Sequence, residues 1–145
     1  MKDSAIDLDG VVVGAVTRRA THVAVHLPRV TLRVRGGSGV DVDHSVELEM
    51  RIWGGTVEQH PHRLPRPLCD WRLYHAGGKR SGPLPASFSA SGNLQVVFAF
   101  QADDSLVITG ARITLRLLKR PLRSALRSRG SVRPASRRAP RKLRA

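Results

Sequence analysis

One cysteine, Cys69, stands in 145 residues, so no disulfide framework can form within the chain. That suits a reducing compartment. Aromatic residues make up only 4% of the sequence, and a core must therefore be built mainly from Val, Leu, Ile and Ala. The longest apolar runs, such as residues 96–100, fall far short of the roughly 20 residues that cross a bilayer. The amino terminus, MKDSAIDLDG, has no apolar stretch after a basic start, so no secretory leader is expected. These absences predict a cytoplasmic protein without a membrane span. A last absence is local: residues 119–145 contain no Asp or Glu.

What is present divides in two. The chain carries 25 Lys or Arg and 11 Asp or Glu, a net charge of +14. Residues 119–145 hold 11 of the basic side chains: Lys119, Arg120, Arg123, Arg127, Arg129, Arg133, Arg137, Arg138, Arg141, Lys142 and Arg144. Residues 1–118 hold 14 basic and 11 acidic groups and are nearly balanced at +3. The expected organisation is one domain over 1–118 and an Arg-rich tail over 119–145. The tail has too little apolar surface to offset its ordering entropy, although residues 121–130 could form a short basic helix. Arg outnumbers Lys throughout, which suits bidentate phosphate recognition but equally follows from a GC-rich coding sequence.

The periodicity of the domain is two. In 46–52, Val46, Leu48, Met50 and Ile52 alternate with Glu47, Glu49 and Arg51, as in a strand with one wet face. Residues 30–34 and 111–117 repeat the pattern, and 11–18, 21–27, 71–75, 94–101 and 105–109 are further strand segments. In 94–101 both faces are apolar, which predicts a central or doubly covered strand. Turn residues cluster at 35–39, 54–55, 91–93 and 102–104, the last closing a hairpin. Gly110 predicts a bulge or bend. The stretches 54–67 and 76–85 read as long irregular loops. No helical stripe precedes residue 119. The expected fold is all-β: a single antiparallel β-sandwich or partly closed β-barrel of about eight short strands.

Four constellations could carry chemistry. Asp7-Leu8-Asp9-Gly10-Val11 resembles the nucleophile motif of haloacid dehalogenase-type phosphatases, whose first aspartate is phosphorylated and whose second acts as acid and base. The resemblance covers five residues, and Asp103-Asp104 would have to supply the magnesium-binding acids. That motif needs a buried parallel strand before it and a larger α/β core behind it, so an acidic turn entering the first strand is the better reading. His60, His62, Cys69 and His75 include soft-metal ligand types. Their spacing matches no closed zinc pattern, and Cys69 shares parity with Trp71 and Leu73, which predicts a buried thiol. Gly77-Gly78-Lys79-Arg80-Ser81 lacks the first glycine and the helix of a phosphate loop and reads as a basic hairpin tip. Gly36-Gly37-Ser38-Gly39 reads as a connector rather than a nucleophile elbow. His22 and His26 share one strand face and receive no role.

No catalytic, cofactor or metal residue is therefore expected. The leading expectation is a small, non-enzymatic, bacterial-type β domain that binds a protein partner. The alternative is a nucleic-acid-associated protein held non-specifically through the tail. The tail has no aromatic residue on which bases could stack.

Overall fold

The computed structural model describes residues 4–36 and 39–119. It is all-β, with no helix among the described residues. Twelve strands follow one another: β1 (Ser4–Asp7), β2 (Val12–Val13), β3 (Ala15–Arg18), β4 (His22–Arg35), β5 (Asp41–Trp53), β6 (Thr56–Gln59), β7 (Arg66–Pro67), β8 (Asp70–His75), β9 (Gly78–Arg80), β10 (Leu84–Pro85), β11 (Ser89–Ala99) and β12 (Ser105–Lys119). The main sheet is antiparallel, in the order β10-β1-β4-β5-β12-β11-β8-β9. β3 adds to β4, β6 adds to β12, and β2 pairs separately with β7. The sheet curls into a half-barrel around one apolar core.

The expected alternation places the core. Val46, Leu48, Met50 and Ile52 are all buried, and so are Leu94, Val96 and Phe98. β11 is central, between β12 and β8, but Val97 and Ala99 on its outer face are only half-buried. Ten hydrogen-bonded strands in one sheet exceed the eight expected because β1 precedes the first expected segment and three short pieces, β6, β9 and β10, arise inside the segments expected to be loops; a fourth such piece, β7, pairs only with β2.

Two expected breaks are bends within continuous strands. Residues 21–27 and 30–34 belong to one strand, β4. Its register shifts between Leu27 and Val30, so that Pro28 and Arg29 together oppose Glu47 of β5. Both are exposed, and the shift keeps Val25, Leu27, Val30 and Leu32 on the core side. A bulge suits Pro28, which has no N–H for the ladder, and it bends the strand as curling requires. Likewise Ser91-Gly92-Asn93 is no turn. It is a bulge in β11, whose register on β12 shifts between Ser91 and Leu94 opposite Gly110 to Arg112.

The β11–β12 hairpin closes where the turn residues predict. Phe100 N–H donates to Asp104 O at 2.8 Å, and Ala102 and Asp103 carry φ values of 64° and 57°. A left-handed alanine costs about 1 kcal/mol. Ala102→Gly is therefore expected to raise the unfolding free energy by up to about 1 kcal/mol, less the added freedom of the unfolded chain. Urea unfolding of the two proteins checks this. A loss of stability would show that the turn does not rely on the left-handed conformation at this position.

Candidate functional site

Asp7 to Val11 is a turn after β1, not a nucleophile motif on a parallel strand. Asp9 N–H donates to Asp7 Oδ1 at 2.9 Å, Val11 N–H donates to Leu8 O at 3.2 Å, and Gly10 has φ 70°. Asp7 thus serves as the acceptor of an Asx turn. The turn follows the first strand instead of entering it. It is packed on β4 at a shallow cleft that Pro28, Arg29 and Thr31 also line.

The soft-ligand residues do not gather. His60 Nδ1 lies 2.7 Å from Pro61 O, and His75 Nδ1 accepts the Gly77 N–H at 3.2 Å. Among the described residues no three His, Cys, Asp or Glu side chains are grouped to hold a metal. Cys69 is exposed, contrary to its parity with Trp71. The alternation is broken just before β8: Leu68 turns inward, whereas Cys69 and Asp70 both face solvent. The Cys69 N–H bonds to Ala99 O at 2.7 Å. Gly77-Gly78 forms the tip of the β8–β9 hairpin, with Gly78 at φ 124°. Gly36 N–H reaches Val40 O at 2.9 Å and begins the β4–β5 connection. His22 lies against Trp53 at a ring separation of 4.6 Å, and His26 Nε2 meets Glu47 Oε2 across the sheet.

One polar cluster was not read from the sequence. Asp104 is buried, with 8% exposure, at the end of the β11–β12 turn. It accepts the His62 N–H at 2.9 Å, and His62 Nδ1 lies 3.2 Å from the same oxygen. Arg66 Nη1 donates to that oxygen too, while Arg66 Nη2 donates to Gln101 O at 2.8 Å. The Arg66 guanidinium covers the Phe100 ring at 5.0 Å. Segment 54–67 is thereby fastened to the hairpin it crosses. The His62 amide, followed by the His62 ring and Arg66, holds the Asp104 carboxyl down to about 2 from its ordinary 3.8, against the opposing effect of burial. The depressed value means that this carboxylate stabilises the fold above pH 3.8, and that the contribution disappears as pH falls through about 2. Asp104→Asn is expected to be less stable than the wild type at neutral pH and to lose that acid-dependent component. Urea unfolding at neutral pH and through the acid range checks both. Parallel pH profiles for the two proteins would contradict the assignment.

Of the Arg-rich segment expected to bind nucleic acid or an acidic partner, only Lys119 lies among the described residues, where its backbone pairs with Glu47 of β5. The other ten positions lie outside them.

Two surfaces remain that can meet a partner. The first is the end of β5. Its pairing with β12 stops at Glu47, so residues 41–46 have β4 on one side and no strand on the other among the described residues. Among the described residues six large apolar side chains are exposed, and four of them, Val40, Val42, Leu117 and Leu118, belong to this end of β5 and the adjacent end of β12. The acids of this segment are neutralised within the sheet. Arg33 Nε donates to Asp43 at 2.9 Å, and Arg35 Nε lies 3.9 Å from Asp41. The Arg33 guanidinium holds the Asp43 carboxyl below the usual range. The second surface is an open cleft of about 500 Å³ at the β1–β10 margin, lined in part by Ser4, Arg33, Arg35, Asp41 and Arg80.

These features define an all-β protein with a curled antiparallel sheet, a strand edge that no described strand pairs and an arginine-lined margin. No protein-family model, curated protein or solved structure matches the chain.

Proposed function

We propose that the protein is a non-enzymatic binding module that takes an extended segment of a partner protein along the edge of β5 at residues 41–46, which is unpaired among the described residues. The supporting observation is the coincidence of that edge with four of the six large apolar side chains that are exposed among the described residues. An unpaired strand presents a row of N–H and C=O groups that an added strand can satisfy, while alternate side chains confer selectivity. Sheet edges are usually protected by net charge, proline or an added cover. Here Asp41 and Asp43 face Arg35 and Arg33, so the edge carries charge in compensated pairs.

Selection of extended peptides from a random library on the full-length protein tests the reading. Peptides with alternating apolar residues are expected, and Val42→Lys should weaken them by about tenfold or more. Val42 is half exposed, so this change leaves the core intact. Recovery of no peptide, or equal binding by Val42→Lys, would overturn the proposal.

A second reading rests on a separate observation, the 11 basic residues in 119–145. In this reading the segment associates with nucleic acid through phosphate neutralisation alone. Full-length protein should then bind generic duplex DNA with a steep salt dependence, near −0.9 in log–log slope per phosphate neutralised. Replacing the basic residues of 120–145 by glutamine should abolish the binding. Salt-independent binding, or none, removes this reading.

A further inference from the structure

We infer that the cleft at the β1–β10 margin is a binding site for a phosphate-type oxyanion, with Arg35 and Arg80 as its principal ligands. The sheet ends at β10 and β9, and only residues 81–83 link these two outer strands. Arg80, the last residue of β9, therefore approaches the margin from one side of the opening. Arg33 and Arg35, on β4, approach it from beyond β1. Strands distant in the sheet order thus bring three arginine residues to the lining of one cleft.

The three arginines are not equally committed. Arg33 is occupied by Asp43, through Nε at 2.9 Å and Nη2 at 3.5 Å. The Asp43 and Asp41 carboxylates raise its pKa further. Arg35 makes a looser contact with Asp41 at 3.9 Å, and 68% of its side chain is exposed. Arg80 has no acidic partner among the described residues; its guanidinium lies over the Phe88 ring at 5.0 Å. Stacking on a ring leaves the edge N–H groups of a guanidinium directed outward, where they can form the paired bonds that suit phosphate oxygens. Among the described residues Asp41 is the only acid lining the cleft. A phosphate group can therefore engage Arg80 and draw Arg35 from its long contact without breaking the Arg33–Asp43 pair. The residues that line the walls, Ala5, Pro83, Leu84 and Pro85, are uncharged and leave the arginines to set the preference. The openness of the margin suits a terminal phosphate or diphosphate more than an enclosed small molecule.

Titration of the full-length protein with pyrophosphate and with inorganic phosphate, followed by calorimetry at constant ionic strength, tests this site. Saturable binding is expected, stronger for pyrophosphate. Arg35→Gln and Arg80→Gln should each weaken it by about tenfold or more. Arg80→Lys should recover only part of the affinity, because an ammonium keeps the charge and loses the fork. The basic segment 119–145 could also take up pyrophosphate, so the titration is repeated with its residues 120–145 neutralised to glutamine. Binding should persist there. Arg72→Gln is the control, since Arg72 lies on β8 beside Asp70 and away from the cleft. Arg35 is largely exposed, so its variant should unfold at the wild-type midpoint. Absence of saturable binding would overturn the site. So would loss of binding in the tail-neutralised variant, or equal weakening by Arg72→Gln. The peptide edge lies on the other side of β4 but shares Asp41 with the cleft, so Arg35→Gln is also assayed for peptide binding, whereas Arg80→Gln leaves that edge unchanged and separates the two readings.

Discussion

Gly110→Val is expected to cost the fold about 3 kcal/mol, through overpacking rather than loss of any contact. Gly110 sits in the middle of β12, at the point where its outer neighbour changes. Residues 112–119 of β12 pair with β5, and 107–109 pair with β6. Between them the chain turns through Gly54 and Gly55. A Cβ on Gly110 would lie 2.4 Å from Ile52 Cγ2, 3.0 Å from Trp53 O and 3.5 Å from Gly55 Cα. The backbone of one strand passes almost against the other, and Ile52, which has no exposed surface, cannot withdraw. Gly54 has φ 65°, and a Cβ on Gly55 would meet Ile52 O at 2.6 Å. Three glycines thus serve one crossing. Gly110→Ala should show a smaller loss of the same sign, and Ala111→Ser, at an exposed neighbour, should stay within about 0.5 kcal/mol. Denaturant unfolding of the series checks the order. A neutral Gly110→Val would mean that the β5–β6 turn can move off β12.

Phe98→Ala is expected to be the most damaging single change, at about 3–5 kcal/mol. Phe98 of β11 lies between Trp71 of β8 and Leu106 of β12 in one cross-strand row. Phe98 and Leu106 have no exposed surface, and Trp71 has 2%. Few aromatic residues are available, and two of the largest lie side by side here, so truncation removes a large fraction of the local volume. Phe98 is a cleaner probe than Trp71, whose buried Nε1 has no acceptor and whose removal would relieve that cost. Ile108→Val, two residues along β12 on the same face, should cost about 1 kcal/mol. For domains with total stability of about 5–15 kcal/mol, the Phe98 loss can leave a substantial unfolded population at 37 °C. Denaturant midpoints and the near-ultraviolet signal of Trp71 measure it. A loss below about 1 kcal/mol would place Phe98 outside the core.

The candidate surfaces depend on how separate segments meet. Asp41, Val42 and Asp43 precede the strongly patterned part of β5 and show no alternation of their own. Among the described residues no strand pairs with them on the β12 side. Arg80 lies at a hairpin tip that reads as merely basic, and its relation to Arg35 depends on the sheet curling until its margins approach. Asp104 sits in a turn of polar residues. Its burial depends on His62 and Arg66, 42 and 38 residues away.

By itself the sequence determined the all-β class, the core face of the long strands and some of the turns, among them those at 54–55 and 102–104. These follow from alternation and from glycine, proline and Asx chemistry, which act over a few residues. The bulge expected at Gly110 falls instead on the facing strand, at residues 92–93 of β11. Tertiary structure alone decided that residues 21–27 and 30–34 form one bent strand and that Cys69 faces solvent. It also decided which edge remains open and which arginines share a cleft. Those outcomes depend on register between segments distant in the chain, where a shift of one residue reverses every side chain. Local pattern specifies which residues prefer the core; only the assembled sheet fixes its partners and its margins.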